Sequence, residues 1–384
     1  MRRHFHYRHG DTTMMTLVGL SVLLLVLAVV LDLGRMALAR KQLQSLADAA
    51  ALGAAGELQN QSVLFPGKAG GRVVDRLVDA PASRAGERGL ALAEEALKQR
   101  VLADQTTMPK GKIRTGYLDA EGRFIASDQE QGCYAVEVQM GFSAARQNSL
   151  PLLVTRWFGA QTADVEVVSV ATMDQRLVGF CPKGNGRSPV APLVLNQGSG
   201  LQGWYQQATA LTNDFNDRFT AASDGYVGAG EDGIPELVFR FSTQSSGDSA
   251  SAWRAQIGND QAGWNRQMLA GLSAGDLSTH GGSLELGNQG QWQAREVNAS
   301  TSADEIVQTL RGLTGQPRVW PLGQGGQGRV QVTGFAAGQV VECWNEGNGW
   351  IAVSIQPCTL TTDTAIVSDD APQNPWIGKV AISR

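Results

Sequence analysis

The sequence predicts an α+β protein in which a long N-terminal transmembrane and stalk helix leads into a small α+β domain and then a mostly antiparallel, β-rich C-terminal domain. Three observations predict it. An uncharged stretch from Thr12 to Leu31 passes without a proline into an Ala-, Leu- and Gln-rich segment. Further on, short apolar runs alternate with period two between glycine-rich turns. The 46 glycines and nine tryptophans, the latter all at or beyond Trp157, set this body apart from the helical N-terminus. The expected organisation is a tail over 1–11, a membrane helix over 12–33, an amphipathic extension over 34–58, a small α+β domain over 59–180, a linker over 181–190 and a β-rich domain over 191–384.

The membrane helix rests on length and uniformity. The run from Leu17 to Val30 is almost continuously aliphatic and has no polar face of the kind a buried core helix shows. Roughly 20 residues at about 1.5 Å each span a hydrocarbon core of about 30 Å. A cleaved secretory signal is the rival, since Arg2 and Arg3 form a basic leader and Ala37-Leu38-Ala39 mimics a cleavage site. The flank Leu31-Asp32-Leu33-Gly34-Arg35 reads instead as helix continuing into water. Arg2, Arg3 and Arg8 before the helix nearly balance Arg35, Arg40 and Lys41 after it, so the positive-inside rule does not orient the chain. The long, Trp-rich, cysteine-bearing body suits an oxidising compartment, which places the N-terminus in the cytoplasm and the body in the periplasm of a bacterial inner membrane.

Beyond the membrane, Arg35 to Leu58 is rich in strong helix formers and has no proline. Met36, Leu43 and Ala50 recur every seven residues, and Ala39, Leu46 and Gly53 interleave with them. This is a narrow apolar seam, with Arg40, Lys41, Gln44 and Asp48 lying off it. Such a seam seeks a neighbouring helix, a second copy of itself included, or the underside of a domain.

The order Leu31-Asp32-Leu33-Gly34-Arg35, then Lys41-Gln42-Leu43-Gln44-Ser45-Leu46-Ala47-Asp48-Ala49-Ala50-Ala51-Leu52-Gly53-Ala54-Ala55, resembles the N-terminal segment of the TadE/TadG-like proteins of Flp (Tad) pilus assembly. In that family an apolar helix ends in a D-x-G-R turn and runs into an Ala-rich segment around a central Asp, and Gly53 stands here where Ala is usual. A weaker echo extends through Tyr134–Val138, Leu150–Gly159 and Val165–Thr172, where the family has two strands flanking a helix. The resemblance implies a single-pass inner-membrane protein acting with other pilus-assembly or pilin-like envelope proteins, with Asp32, Gly34, Leu43, Gln44, Leu46, Asp48 and Ala50 as helix-packing and assembly residues. Two departures bound it. Prepilin processing follows a Gly that has Glu five residues on, whereas Gly10 is followed at that spacing by Met15. Larger members carry a metal site of pattern D-x-S-x-S, and Asp276-Leu277-Ser278-Thr279-His280 lacks its last Ser.

In the body, residues 59–85 read as a loop and Leu90–Leu102 as an amphipathic helix. Tyr134, Val136, Val138 and Met140 mark a half-buried strand. Leu237–Phe241, Val330–Val332 and Ile351–Ile355 read as strands, and Ser302–Leu310 as a helix with Asp304 and Glu305 in its first turn. Asn345–Gly349 reads as a hairpin turn. The four cysteines lack the spacing and neighbouring histidines of a zinc site. Disulfides are the expectation: Cys343 with Cys358, contributing roughly 3 kcal/mol in the chain-entropy model, and by default Cys133 with Cys181, although four cysteines allow three connectivities.

Chemistry-bearing constellations are missing from the sequence. A net charge of −4, from 32 basic and 36 acidic residues, gives no basis for nucleic-acid binding. His280 is the one histidine outside the tail, there is no G-x-S-x-G elbow, and Gly67–Gly71 lacks phosphate-loop spacing. The tail motif His4–His9 suits a basic segment at a lipid surface better than a metal site, and the acidic residues Asp214, Asp217, Asp224, Glu231 and Asp232 lack EF-hand order. No catalytic residue, cofactor or metal is therefore expected. The leading functional expectation is a non-enzymatic anchored component of Tad-type pilus assembly. A membrane-tethered periplasmic ligand-binding or adhesive module is the alternative, and a tethered hydrolase the third.

Overall fold

The computed structural model describes residues 9–59, 91, 110–119, 121–127, 134–146, 149–152, 154, 156, 159, 161–196, 217–221, 225–243, 250–258, 263–286, 292–296, 302–326 and 329–383. Helix Leu90–Leu102 and loop 59–85 of the sequence reading lie outside these residues, apart from Gln59 and Ala91. The expected membrane helix and its extension form one helix, α1 (His9–Gly56), of 48 residues. At about 1.5 Å per residue it is roughly 70 Å long, which its lack of proline permits. A strand-rich body follows it, as the sequence predicts.

The chain divides into two compact units, one of Met1–Ala54, Gly86–Ala171 and Ile382–Arg384, the other of Ala55–Ala85 and Thr172–Ala381. In the first unit the strands are β1 (Lys110–Leu118), β2 (Phe124–Ala126), β3 (Ala135–Phe142), β4 (Leu150–Pro151), β5 (Thr162–Ala163) and β6 (Val165–Asp174), which runs on into the second. They lie in the order β2-β1-β3-β6, with β4 paired to β5 apart from them. β1 and β3 are antiparallel, with Ile113 opposite Val138. Along β3 Val136, Val138 and Met140 are buried as predicted, whereas Tyr134, just before the strand, is exposed and Ala135 is buried. Leu150 and Pro151, in the segment where the resemblance implies a helix, are instead the short strand β4, opposite Ala163 and Thr162.

The second unit holds β7 (Leu177–Phe180), β8 (Arg187–Ser188), β9 (Leu193–Asn196), β10 (Phe219–Ala221), β11 (Val227–Ala229), β12 (Leu237–Ser242), β13 (Ala252–Gln256), α2 (Trp264–Ala270), β14 (Leu272–Ser273), β15 (Leu284–Glu285), β16 (Trp292–Glu296), α3 (Ala303–Arg311), β17 (Pro317–Gly326), β18 (Arg329–Gly347), β19 (Trp350–Pro357), β20 (Leu360–Thr361), β21 (Ala365–Val367) and β22 (Ile377–Ser383), whose last residues belong to the first unit. Its main sheet closes on itself. The pairings run β9–β13, β13–β16, β16–β18, β18–β17 and β17–β9, a circuit of five strands. β19 and β12 extend it from the far half of the long β18. Closure leaves no edge within the circuit, and β12 forms the outer edge of the extension.

The buried interior includes Leu193, Leu195, Trp320, Phe335 and Ile355. Trp320 donates its indole N–H to the Gly338 carbonyl at 2.9 Å. Gly338 is required by close approach, because a Cβ there would lie 2.7 Å from Ile355 Cγ2. Ser302 caps α3 by accepting the Glu305 N–H, with Asp304 and Glu305 at the positive end of the helix dipole. The β18–β19 hairpin turns at Asn348 and Gly349, both at positive φ (53° and 79°), which suits the twist of its strands.

Candidate functional site

The stalk half of α1 is built into the first unit by three polar ties. Asp32, 2% exposed, accepts the Val154 backbone N–H at 3.1 Å. One turn on, the Arg35 guanidinium donates to the Pro151 carbonyl at 3.3 Å. Gln44 donates to Asp48 at 2.8 Å and to the Val168 carbonyl at 3.4 Å. Side chains three or four apart share a helix face, so Asp32 and Arg35 close on one short segment as a pair.

Between and beyond these ties the helix buries a stripe: Ala39, Leu43, Leu46, Ala47, Ala50, Ala51 and Ala54. The predicted seam is thus mostly present, with Met36 and Gly53 half-buried at its margin. Leu43 and Leu46 contribute roughly 1.5–3 kcal/mol each by burial, while the alanines permit a short approach distance. Leu38 and Leu52 lie outside the stripe and are exposed. Gly34 is exposed too, and a Cβ added to it meets nothing within 4 Å. The structure therefore buries Asp32, Leu43, Leu46 and Ala50 along one face of α1, half-buries Gln44 and Asp48, and leaves Gly34 exposed. Arg35 was not among the expected packing residues, although its place three positions after Asp32 carries the signal.

The expected disulfide between Cys343 and Cys358 is not formed: both thiols are free, as is that of Cys181. Register explains it. Cys343 faces Val353, whereas the Cys358 N–H bonds to the Ala337 carbonyl, six residues back along β18. Six residues of strand separate them by roughly 20 Å, far beyond the ~4.4–6.8 Å between Cα atoms that a bridge needs. The Cys343 thiol instead donates to the Val307 carbonyl of α3 at 3.4 Å. Burial pushes the thiols of Cys343 and Cys358 up to about 11 and about 12. Cys133 lies outside the described residues, so its pairing with Cys181 does too.

Of the remaining candidate groups, Glu231 is exposed, while Asp276, Asp232, Glu236 and Asp217 are bonded within the fold. Although burial acts against it, Asp276 is held well below the usual carboxylate range by Arg266, by the hydroxyl and N–H of Ser273, and by Gln267. This pattern Asp has no vacant oxygen for a metal. Burial raises Asp232 and Glu236 against the backbone N–H groups that bond them, Ile234 and Ala221 in one case and Arg218 and Phe219 in the other. Asp217 accepts from the N–H groups of Asp232 and Gly233. Asp214 and Asp224 lie outside the described residues. His280, lowered by burial, sits in a 3-10 turn whose Ser278 hydroxyl is bonded to the Gly275 carbonyl. Among the described residues there is no group of three His, Cys, Asp or Glu side chains placed to hold a metal ion.

Among the described residues, one helix long and apolar enough to cross a membrane, fastened through its stalk half to the first unit, defines the class: a chain with a single candidate membrane helix. Within that class, residues 10–57 match the Tad family model, described as "Putative Flp pilus-assembly TadE/G-like". The match covers α1 nearly end to end, from the membrane stretch through the ties at Asp32, Arg35 and Gln44. No curated protein and no solved structure matches the chain.

Proposed function

We propose that this protein is a non-enzymatic, single-pass component of Flp/Tad-type pilus assembly, with its N-terminus in the cytoplasm and its body in the periplasm. The observation that carries the reading is the coincidence of the family match over 10–57 with a helix that is half membrane span and half structural member of the first unit. A helix used in this way fixes the body to the membrane, which is the role of an assembly or minor pilin-like scaffold. Supporting the non-enzymatic part, Asp217 and Asp276 of the second unit are bonded to backbone and side-chain donors of the fold. The Tad pilus-assembly family is likewise generally non-enzymatic. The partners proposed are the inner membrane and other pilus-assembly or pilin-like envelope proteins.

Deletion of the gene in its own host, with complementation by the full chain, tests the proposal. Loss of surface pili on deletion and their return on complementation supports it, while normal piliation in the deletion strain overturns it. Fractionation with N-terminal sequencing resolves the form of the anchor. An intact Met1 in the inner membrane marks a permanent anchor, a start at Asp11 marks pilin-like processing, and a start near Arg40 refutes the anchor.

A further inference from the structure

We propose that the first unit makes a second contact with the membrane, in which Arg35, Arg40, Lys41 and Arg156 form a basic collar that binds anionic phospholipid headgroups. The inference rests on the membrane-spanning reading of α1 and deepens it.

Depth comes first. Thr12 to Leu31 carries no charge, and Asp32 is the first ionisable group after it, so Asp32 marks the edge of the hydrocarbon. Val154 and Pro151 are bonded to Asp32 and Arg35. Pro151 and Val154 are therefore held at that same depth, level with Leu31 and Leu33, which are 53% and 54% exposed. Arg156, two residues past Val154, is exposed.

Charge is the second argument. Arg35, Arg40, Lys41 and Arg156 form no ion pair among the described residues. The nearest helix carboxylates are spent, Asp32 on Val154 and Asp48 on Gln44. At roughly 100° per residue, Arg35, Arg40 and Lys41 stand about 100–140° apart around the axis, so the cations surround the helix. Arg40 and Lys41 stand about 12–14 Å along the axis from Asp32. Helix side chains lean toward the N-terminus, which here is toward the bilayer, and long basic side chains reach back to phosphates in this way. Continuity with the span and complementarity of charge both select a lipid surface as the occupant, with each basic residue adding attraction within a Debye length of about 8 Å.

The test uses the full chain with its native cysteines, reconstituted in phosphatidylcholine vesicles with or without phosphatidylglycerol. A photo-crosslinking amino acid is placed at position 156 or, as a reference, at position 22 in the middle of the span. Lipid adducts at both positions, with those at 156 favouring phosphatidylglycerol, support the proposal. Adducts at 22 but none at 156 overturn it and leave the membrane reading standing, whereas adducts at neither position overturn the membrane reading itself. A protein adduct at 156 replaces the lipid surface with a protein contact and also overturns it. In the double variant Arg40→Glu, Lys41→Glu, the phosphatidylglycerol preference at 156 disappears while adducts at 22 persist, and an unchanged preference rules out the collar.

Discussion

Asp32 and Val154, 122 positions apart in the chain, are joined by a 3.1 Å hydrogen bond from the Val154 N–H to a carboxylate that is almost fully buried. A carboxylate at the end of an apolar helix is costly unless it is bonded, and a backbone N–H without a partner is costly in the same way. The two groups resolve each other's cost and in doing so fasten the helix to the first unit.

Replacing Asp32 by Ala leaves that N–H without its acceptor and is expected to destabilise the first unit by about 1–3 kcal/mol. Asp32→Asn keeps a carbonyl oxygen in place and is expected to lose less. Thermal unfolding and limited proteolysis of the detergent-solubilised chain report both. Equal losses for Ala and Asn would mean that the charge, and not the acceptor, carries the tie.

Gly34 gives the opposite expectation. It sits inside α1, it is exposed, and a Cβ there meets open space. Gly34→Ala should therefore stabilise the helix by about 0.5–1 kcal/mol, through the lower conformational entropy of the unfolded chain. A rise in unfolding midpoint is the expected reading. If the same variant assembles fewer pili, the Gly34 face is where another helix approaches closely.

These two residues show what a sequence discloses and what it does not. The seven-residue recurrence of Leu43 and Ala50 and of Ala39 and Leu46 exposes the buried stripe, because helical burial is periodic and local. Ser302 and the Asn348-Gly349 turn are legible for the same reason, each being a local rule of backbone satisfaction or positive φ. The partner of Asp32 is not legible, since nothing in a single sequence ties position 32 to position 154. Barrel closure is hidden likewise, in the parallel pairing of Leu322 with Leu195. The expected Cys343–Cys358 bridge went astray on register: a hairpin can be recognised from its turn, yet only the strand pairing shows that these thiols stand far apart.

The thiols carry their own prediction. Cys343 and Cys358 are free and their ionisation is pushed up to about 11 and about 12, so both should react slowly with iodoacetamide at pH 8 in the native protein. Cys343, the most buried of the three free thiols, is expected to react last. The folded state holds the two thiol protons more tightly than the unfolded chain, whose thiols ionise near 9. This contribution to stability is thus present below about pH 9 and is lost as pH rises through the folded values. Urea midpoints that fall between pH 8 and pH 10.5 by less in Cys343→Ala would match it. Modification mass spectrometry that finds Cys343 joined to Cys358 would contradict the register.

Asp276 behaves in the reverse sense at acid pH. Its carboxylate accepts from Arg266 at 2.5 Å, from the Ser273 hydroxyl at 2.6 Å and from the Ser273 N–H at 2.8 Å, and it is held well below its ordinary value of 3.8. A depressed folded pKa means that the unfolded chain binds the proton more readily. The stabilisation is therefore complete above about pH 4 to 5 and is lost as pH falls below that toward the folded value. Asp276→Asn should cost about 1–3 kcal/mol at pH 7, because Arg266 loses its partner and one oxygen that received the Ser273 groups becomes a donor. The variant should also show a flatter fall in stability between pH 5 and pH 3 than the parent chain. Because Arg266 is 44% exposed and Asp276 only 6%, the larger share of the loss is assigned to the unmet Ser273 and Gln267 donors, and Arg266→Gln is expected to cost less than Asp276→Asn in the same assay.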